Sequence, residues 1–400
     1  MERRYFTLNN PERSASAPGL RKHGKRRRVL CILALLAALA ALLCLILPRL
    51  VNMDRTVRFF RYIGLRDKAS YGRISFDGGS ENVYAGFDDG LLVGTGSGLA
   101  LYALDGTQKA LLQGSLPTPV LRTGGEVCFL FSPGSSYAAA VGVGGTVRMD
   151  GSISGTFLNA DVSFDGYTAY ITTESGYKSV ATVLNESLEP IYRFSSRTRF
   201  LNACAVSEQG RLLAVARLEE EGGVYHSGIT ILRTDLPLDD LEQDSADTVQ
   251  LDLGNQVVYE LRFLDSTHLM AVAQNEIVFF SAEGERLGEV STRDNQLVDY
   301  AVSAEGWLIL ALETNGSRRV LTLDAAGSLL GELALTERVR SVSAAEKYAA
   351  VLTETSVQTF DRQLKAMDRS WDVLSATQAI ARPDGTVLLI CGSETKLYIP

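Results

Sequence analysis

Beyond residue 70 the apolar residues fall into short runs interrupted by polar turns. One unit recurs: an apolar pair, a small polar residue such as Ser, a turn, then a run rich in β-formers. It occupies residues 161–172, 205–216, 262–273, 301–312, 341–352 and 380–391. Asp-Gly stands at 77–78, 89–90, 105–106, 150–151, 165–166 and 384–385, each time beside an apolar or alternating run. Both residues of that pair tolerate positive φ, which suits tight hairpin turns, so the body is predicted to be a succession of antiparallel strands.

Aligned on Gly166, Gly210, Thr267, Gly306, Glu346 and Gly385, the units are spaced by 44, 57, 39, 40 and 39 residues. Weaker copies at Gly90 and Gly125 add steps of 35 and 41. A period near 40 residues holding four short strands marks a β-propeller, whose blades cannot bury both faces alone and therefore stack around an axis. The long step is accounted for by an insert rich in Asp and Glu, Thr234 to Val249. The expected fold is all-β: a propeller over 71–400 with eight blades, or seven if Gly90 and Gly125 belong to one irregular blade. Ring closure would borrow an outer strand from the opposite end of the repeats, and Tyr71–Phe76 is placed to supply it.

A different pattern precedes the repeats. Val29–Leu47 is a run of nineteen uncharged residues dominated by Leu, Ala and Ile, ended by Pro48 and Arg49. As a helix it spans about 28 Å, close to the hydrocarbon core of a bilayer, and it lacks the polar face of a buried helix. It is read as one transmembrane helix. Ala38 and Ala40 lie mid-run, where a signal peptidase site does not belong, and Leu43 stands where a lipobox needs a small residue before Cys44. An uncleaved signal anchor therefore fits better than a cleaved leader. Six basic residues precede the span closely, Arg21, Lys22, Lys25, Arg26, Arg27 and Arg28, against four after it, Arg49, Arg55, Arg58 and Arg61. That bias predicts a cytoplasmic tail over 1–28, the span over 29–47 and an extracytoplasmic propeller over 71–400 in a single-pass cell-membrane protein. Between span and propeller, the linker 48–70 mixes aromatic and basic residues. That suits either a headgroup layer or a short helix packed on the domain.

Charge sharpens this division. Residues 1–68 carry a net +11 and residues 69–400 a net −19. A basic end this short points to a membrane flank or a nucleic-acid tail, and its position against an apolar span favours topology, so no nucleic-acid partner is expected. With 46% hydrophobic and 22% charged residues over 400 positions the chain holds a large core and is not disordered. Its 36 glycines lack a three-residue period and its five cysteines are too sparse for a disulfide scaffold, which excludes collagen and the mini-protein class.

Motifs that carry chemistry are few. His226 and His268 are the only histidines in the body, and neither has a neighbour at metal spacing. Gly94–Gly98 is rich in glycine but precedes no helix that would hold a phosphate. Cys128, Cys204 and Cys391 sit in strand-like runs and read as buried thiols. Acidic clusters remain: Glu219, Glu220 and Glu221, and, in the same blade, Asp239, Asp240 and Asp244 with neighbouring acids. They are either a solvated loop or one face of a calcium site.

Leu101–Thr107 and Val320–Gly327 resemble the third-strand-and-turn motif of PQQ-like and WD-like propeller repeats. The layout over about 29–400 is similar to single-pass bacterial propeller proteins of a domain-of-unknown-function family. The resemblance implies a membrane-anchored propeller. Trp307 and Trp371 are the only tryptophans and neither follows the turn where quinoprotein blades dock, so no cofactor is implied. Two functions are expected from these features. One is a membrane-tethered, non-enzymatic scaffold binding a protein or envelope partner. The other is an extracytoplasmic receptor or enzyme that uses the central channel.

Overall fold

Second strands such as Val127–Phe131, Leu308–Thr314 and Tyr348–Thr353 are buried almost throughout, whereas outer strands such as Gln108–Gln113 and Arg286–Ser291 alternate between exposed and covered positions. That contrast is what a radial stack of sheets imposes, because a strand between two neighbouring sheets buries both faces and a peripheral one does not. The computed structural model describes residues 53–65, 71–235, 248–373 and 375–400, and the chain divides into two compact units, 1–61 and 62–400.

The second unit is an eight-bladed propeller. Its antiparallel sheets cover 83–113, 120–152, 156–196, 200–252, 258–291, 296–335, 339–370 and 378–398, each running inner to outer in chain order. The eight turn residues of the repeat fall on the turns between inner and second strands of blades 1 to 8. Blades 1 and 2 are thus separate, and the seven-blade alternative is excluded. Blade 8 has three strands of its own, and residues 74–76 lie along its outer edge. Ser75 bridges Glu394, Phe76 N–H donates to Ser393 O (3.0 Å), and Thr395 N–H donates to Ile74 O (2.9 Å). The segment before blade 1 thus covers the start of the blade 8 outer strand, at residues 393–395.

The small polar residue of the repeat has a defined task. Ser163 Oγ accepts Tyr167 N–H, Ser207 Oγ accepts Leu212 N–H, Asp265 Oδ1 accepts the N–H groups of Thr267 and His268, and Asp384 Oδ1 accepts Thr386 N–H. Each closes a tight turn by replacing a backbone partner with a side chain. Blade contacts follow the taper toward the axis: Ala203, Ala205, Ala214 and Ala216 of blade 4 meet Leu261, Phe263 and Leu269 of blade 5. The insert of blade 4 joins its third and outer strands, and residues 236–247 of it lie outside the described residues.

The described helix runs from Met53 to Tyr62, leaving Val57, Phe59 and Phe60 exposed. Arg61 in its last turn complements the helix dipole. Among the described residues no helix is long and apolar enough to cross a membrane. The expected span 29–47 and the basic tail with Arg21, Lys22, Lys25, Arg26, Arg27 and Arg28 lie outside the described residues.

Candidate functional site

A propeller's inner strands present an open edge, one row of N–H and C=O groups per blade with no fifth strand to pair them. Here side chains of one inner strand serve the edge of the next. Asn159 accepts from Cys204 N–H (3.4 Å) and Asp161 from Val206 N–H (3.2 Å). Asn202 donates to Val258 O (2.5 Å), and Asp299 accepts from Val342 N–H (2.8 Å). Ser341 and Ser343 accept from Ala379 and Ala381 N–H (2.9 Å each). These bonds run from a blade to its successor, joining blades 3 to 4, 4 to 5, 6 to 7 and 7 to 8.

One cluster departs from that rule by crossing the channel. Arg122 of blade 2 donates from Nε to Ala160 O (3.2 Å), and its Nη2 lies 3.4 Å from Glu260 Oε2 of blade 5. Arg262 of blade 5 reaches Thr123 O of blade 2 (3.4 Å) and lies over the Phe164 ring of blade 3 at 5.5 Å. Tyr300 of blade 6 donates its hydroxyl to Glu260 Oε2 (2.5 Å). Blades 2 and 5 are three places apart, so these contacts bridge the opening itself. Two guanidiniums face two carboxylates, Glu260 and the buried Asp161, and the charges balance.

The electrostatics follow from burial. Burial disfavours the Arg122 charge, but Glu260 and Asp161 outweigh it and raise its pKa. Asp161 is shifted upward by burial, with Arg262, Arg122 and the Val206 N–H opposing. Burial and then Glu260 hold the Tyr300 hydroxyl far above its usual value. Cys204, beside Asp161, is pushed well up by burial, and Cys128 to about 12 for the same cause, so neither is a thiolate nucleophile. Cys128, Cys204 and Cys391 are all free thiols.

The two ends of the ring differ. One, here the turn face, carries the inner-to-second and third-to-outer turns. The other, the loop face, carries the second-to-third turns and the links between blades. In blade 4 the second and third strands, Leu212–Glu221 and Val224–Arg233, outrun their neighbours. The inner strand pairs only as far as Leu218 and the outer strand only to Gly228. Residues 219–226 therefore project from the loop face as a two-stranded ribbon roughly 10 Å long. The exposed large aromatics of the propeller unit among the described residues, Phe200, Tyr225, Tyr259 and Trp371, all belong to this face.

Of the acidic residues singled out by sequence, Glu219 pairs with Arg199 (3.2 Å) and approaches Arg217 (3.9 Å), and Glu220 accepts Gly223 N–H (2.6 Å). Glu219–Glu221 belong to the ribbon strand and not to a loop. Asp239, Asp240 and Asp244 lie outside the described residues, whose flanks Asp235 and Thr248 are at the turn-face end of the same blade. Among the described residues no group of three His, Cys, Asp or Glu is arranged to hold a metal. His268, which sequence left without a partner, has its Nδ1 2.8 Å from Asp265 Oδ2. Sequence reasoning passed over the channel cluster, although a signal was there. At the first place of the repeat Ala205, Ala301, Ser341 and Ile380 are small or apolar, while Asp161 and Arg262 are charged.

The fold is similar to BamB from Moraxella catarrhalis (14% identity, covering 82% of this chain and 97% of that one, TM-score 0.48). It is also similar to apo AztD from Citrobacter koseri (12% identity, 72% and 84% covered, TM-score 0.46) and to Kluyveromyces lactis Hsv2 (12% identity, 72% and 99% covered, TM-score 0.44). Comparison with curated proteins finds no match. The profile of the family of unknown function DUF5711 matches residues 66–367, and the chain belongs to that family.

Proposed function

We propose that this protein is a membrane-tethered, non-enzymatic propeller whose loop face binds a protein or envelope partner. The observation that carries the reading is the gathering of Phe200, Tyr225, Tyr259 and Trp371 on that face, beside a projecting ribbon. Exposed aromatic side chains supply large contact areas at little entropic cost and are enriched at the centres of protein interfaces. The charge-balanced bridge between Arg122 and Glu260 weighs against a ligand in the channel, because the groups that would recognise one already satisfy each other.

The tether is part of the proposal. The apolar run 29–47, with its basic flank, anchors the chain with the N-terminus in the cytoplasm and the propeller outside. Val57, Phe59 and Phe60 would then sit in the headgroup layer. A photo-reactive residue at Tyr225 or Tyr259 should cross-link one protein in membranes, and the same residue at Val143 or Leu329 on the turn face should not. Equal adducts from both faces, or none from the loop face, would overturn this reading.

A further inference from the structure

Among the described residues seven blades have four strands and blade 8 has three. The place of its fourth is filled only in part. Ser75 bridges Glu394 and Ile74 O accepts Thr395 N–H, but the ladder stops there. Thr395 Oγ1 accepts the Ile74 N–H (2.9 Å) that a continuing ladder would give to the Thr395 carbonyl. Gly72 then turns away and donates its N–H to Leu104 O of blade 1 (2.8 Å). Among the described residues no further strand pairs with this side of Glu394–Tyr398. Thr395 directs its N–H outward, so Leu397, two residues on, directs its N–H and C=O the same way. By the same alternation, the bonds to the second strand fall on Lys396 and Tyr398, opposite Leu389 and Val387.

The open stretch has a cleft on either side. Toward blade 7 lies one of about 280 Å³, lined by Tyr71, Leu389, Leu397 and Ile399. Its charged groups, Asp372 and Lys396, pair with each other. Trp371, exposed on the loop face and stacked on Arg369 at 3.8 Å, adjoins Asp372 at the rim. Toward blade 1, Val93, Ala100 and Leu111 form one cross-strand row. Val93 packs with Leu388 and Ile390 of blade 8, whereas Leu111, at the outer end of the row, is exposed. It lines a groove of about 580 Å³ with Phe76 and Tyr102. A fourth strand on blade 8 would cover that face.

We infer that blade 8 takes this strand from the partner, as an extended segment that pairs with Leu397 and sets alternate side chains toward blades 7 and 1. The inference rests on the protein-binding reading above and says how the partner is held. Backbone bonds to an open edge supply affinity, and the flanking clefts select the side chains. Because Asp372 and Lys396 answer each other, the cleft toward blade 7 suits an apolar residue and not an ion. Leu111 asks for an apolar residue on the opposite side.

For the test, full-length protein in detergent micelles is extended after Pro400 by a short Gly-Ser linker and a copy of residues 190–196, the outer strand of blade 3. The tail thus follows the third strand, as outer strands do in the other seven blades. A control tail has prolines in place of the Ile, Tyr and Phe of the copy. At millimolar effective concentration the strand tail should slow deuterium uptake by residues 393–400 about fivefold relative to the proline tail. Leu397→Pro removes one outward N–H and no bond inside the blade, so in that background the two tails should give equal uptake. Equal uptake from the two tails without that substitution would overturn the inference, as would an undiminished difference with it. In membranes, a photo-reactive residue at Lys396 should cross-link the same protein as one at Tyr225, and the strand tail should suppress the Lys396 adduct. An adduct at Tyr225 with none at Lys396 would overturn the inference and leave the loop-face reading intact. Protection by the strand tail with no adduct at either position would overturn the partner as source while upholding the acceptor edge, as would a Lys396 adduct with a second copy of this chain.

Discussion

Glu260 meets two demands with one carboxylate: it accepts the Tyr300 hydroxyl and faces the Arg122 guanidinium across the channel. Tyr300→Phe removes one hydrogen bond to a charged acceptor and should cost about 1–2 kcal/mol. Glu260→Ala leaves Arg122 facing Arg262 with only Asp161 between them and should cost more, about 2–3 kcal/mol, read as a shift of the urea midpoint. An unchanged midpoint for Glu260→Ala would mean that the bridge adds nothing to the ring. Asp384 gives a pH test. Burial works to raise its pKa, but Arg382, the Tyr62 hydroxyl and Thr386 outweigh it, and the folded value lies below the ordinary one. Its contribution is therefore complete above the unfolded value of about 4 and is lost as pH falls through the folded value. The advantage of wild type over Asp384→Asn should be full at neutral pH and shrink in acid. A constant difference across that range would contradict the assignment.

At the level of elements, the seam between the first and last blades depends on Gly72 and Thr395. Gly72 has φ +77°, and a Cβ there would fall 2.3 Å from Leu397 Cβ. Thr395 Oγ1 donates to Gly72 O (2.8 Å) and accepts Ile74 N–H (2.9 Å). Gly72→Ala should cost about 2–4 kcal/mol, combining left-handed strain with overpacking. Gly176→Ala, with φ +88° and nothing within 4 Å, should cost only the strain, about 1–2 kcal/mol. Thermal unfolding of the pair separates the terms, and equal losses would show that the seam is loose. The closing segment was legible because Tyr71–Phe76 is a β-rich run left over once the repeats are aligned, although it meets blade 8 through a single bridge rather than a full strand. Turn residues were legible for a similar reason, since Ser163, Ser207 and Ser303 recur at one place and each caps its own turn. The ribbon was not legible. Three consecutive glutamates at 219–221 suggest a loop, and only the pairing of Glu219 with His226 and of Glu220 with Tyr225 reveals a strand that outruns its neighbours.

For the whole molecule, period and turn chemistry lead to a propeller of eight or seven blades, because each blade is a local unit that repeats its own hydrophobic pattern, and the separate sheets at 83–113 and 120–152 decide for eight. What they do not specify is which side chains meet across the axis. Arg122 and Glu260 are far apart in sequence and come together only when the ring is closed, so neither stands out in its own blade. The same holds on the loop face, where Arg199 of the link after blade 3 and Arg217 of blade 4 line one cavity. The central claim is that the loop face recruits a protein. Its most direct test is a cross-linked affinity purification of the full-length protein from membranes, against a variant in which residues 219–226 are replaced by a two-residue turn. The account predicts a stoichiometric protein partner that is retained by the wild type and lost from the shortened variant. Recovery of the same partner with both forms, or of lipid alone with the wild type, would contradict it.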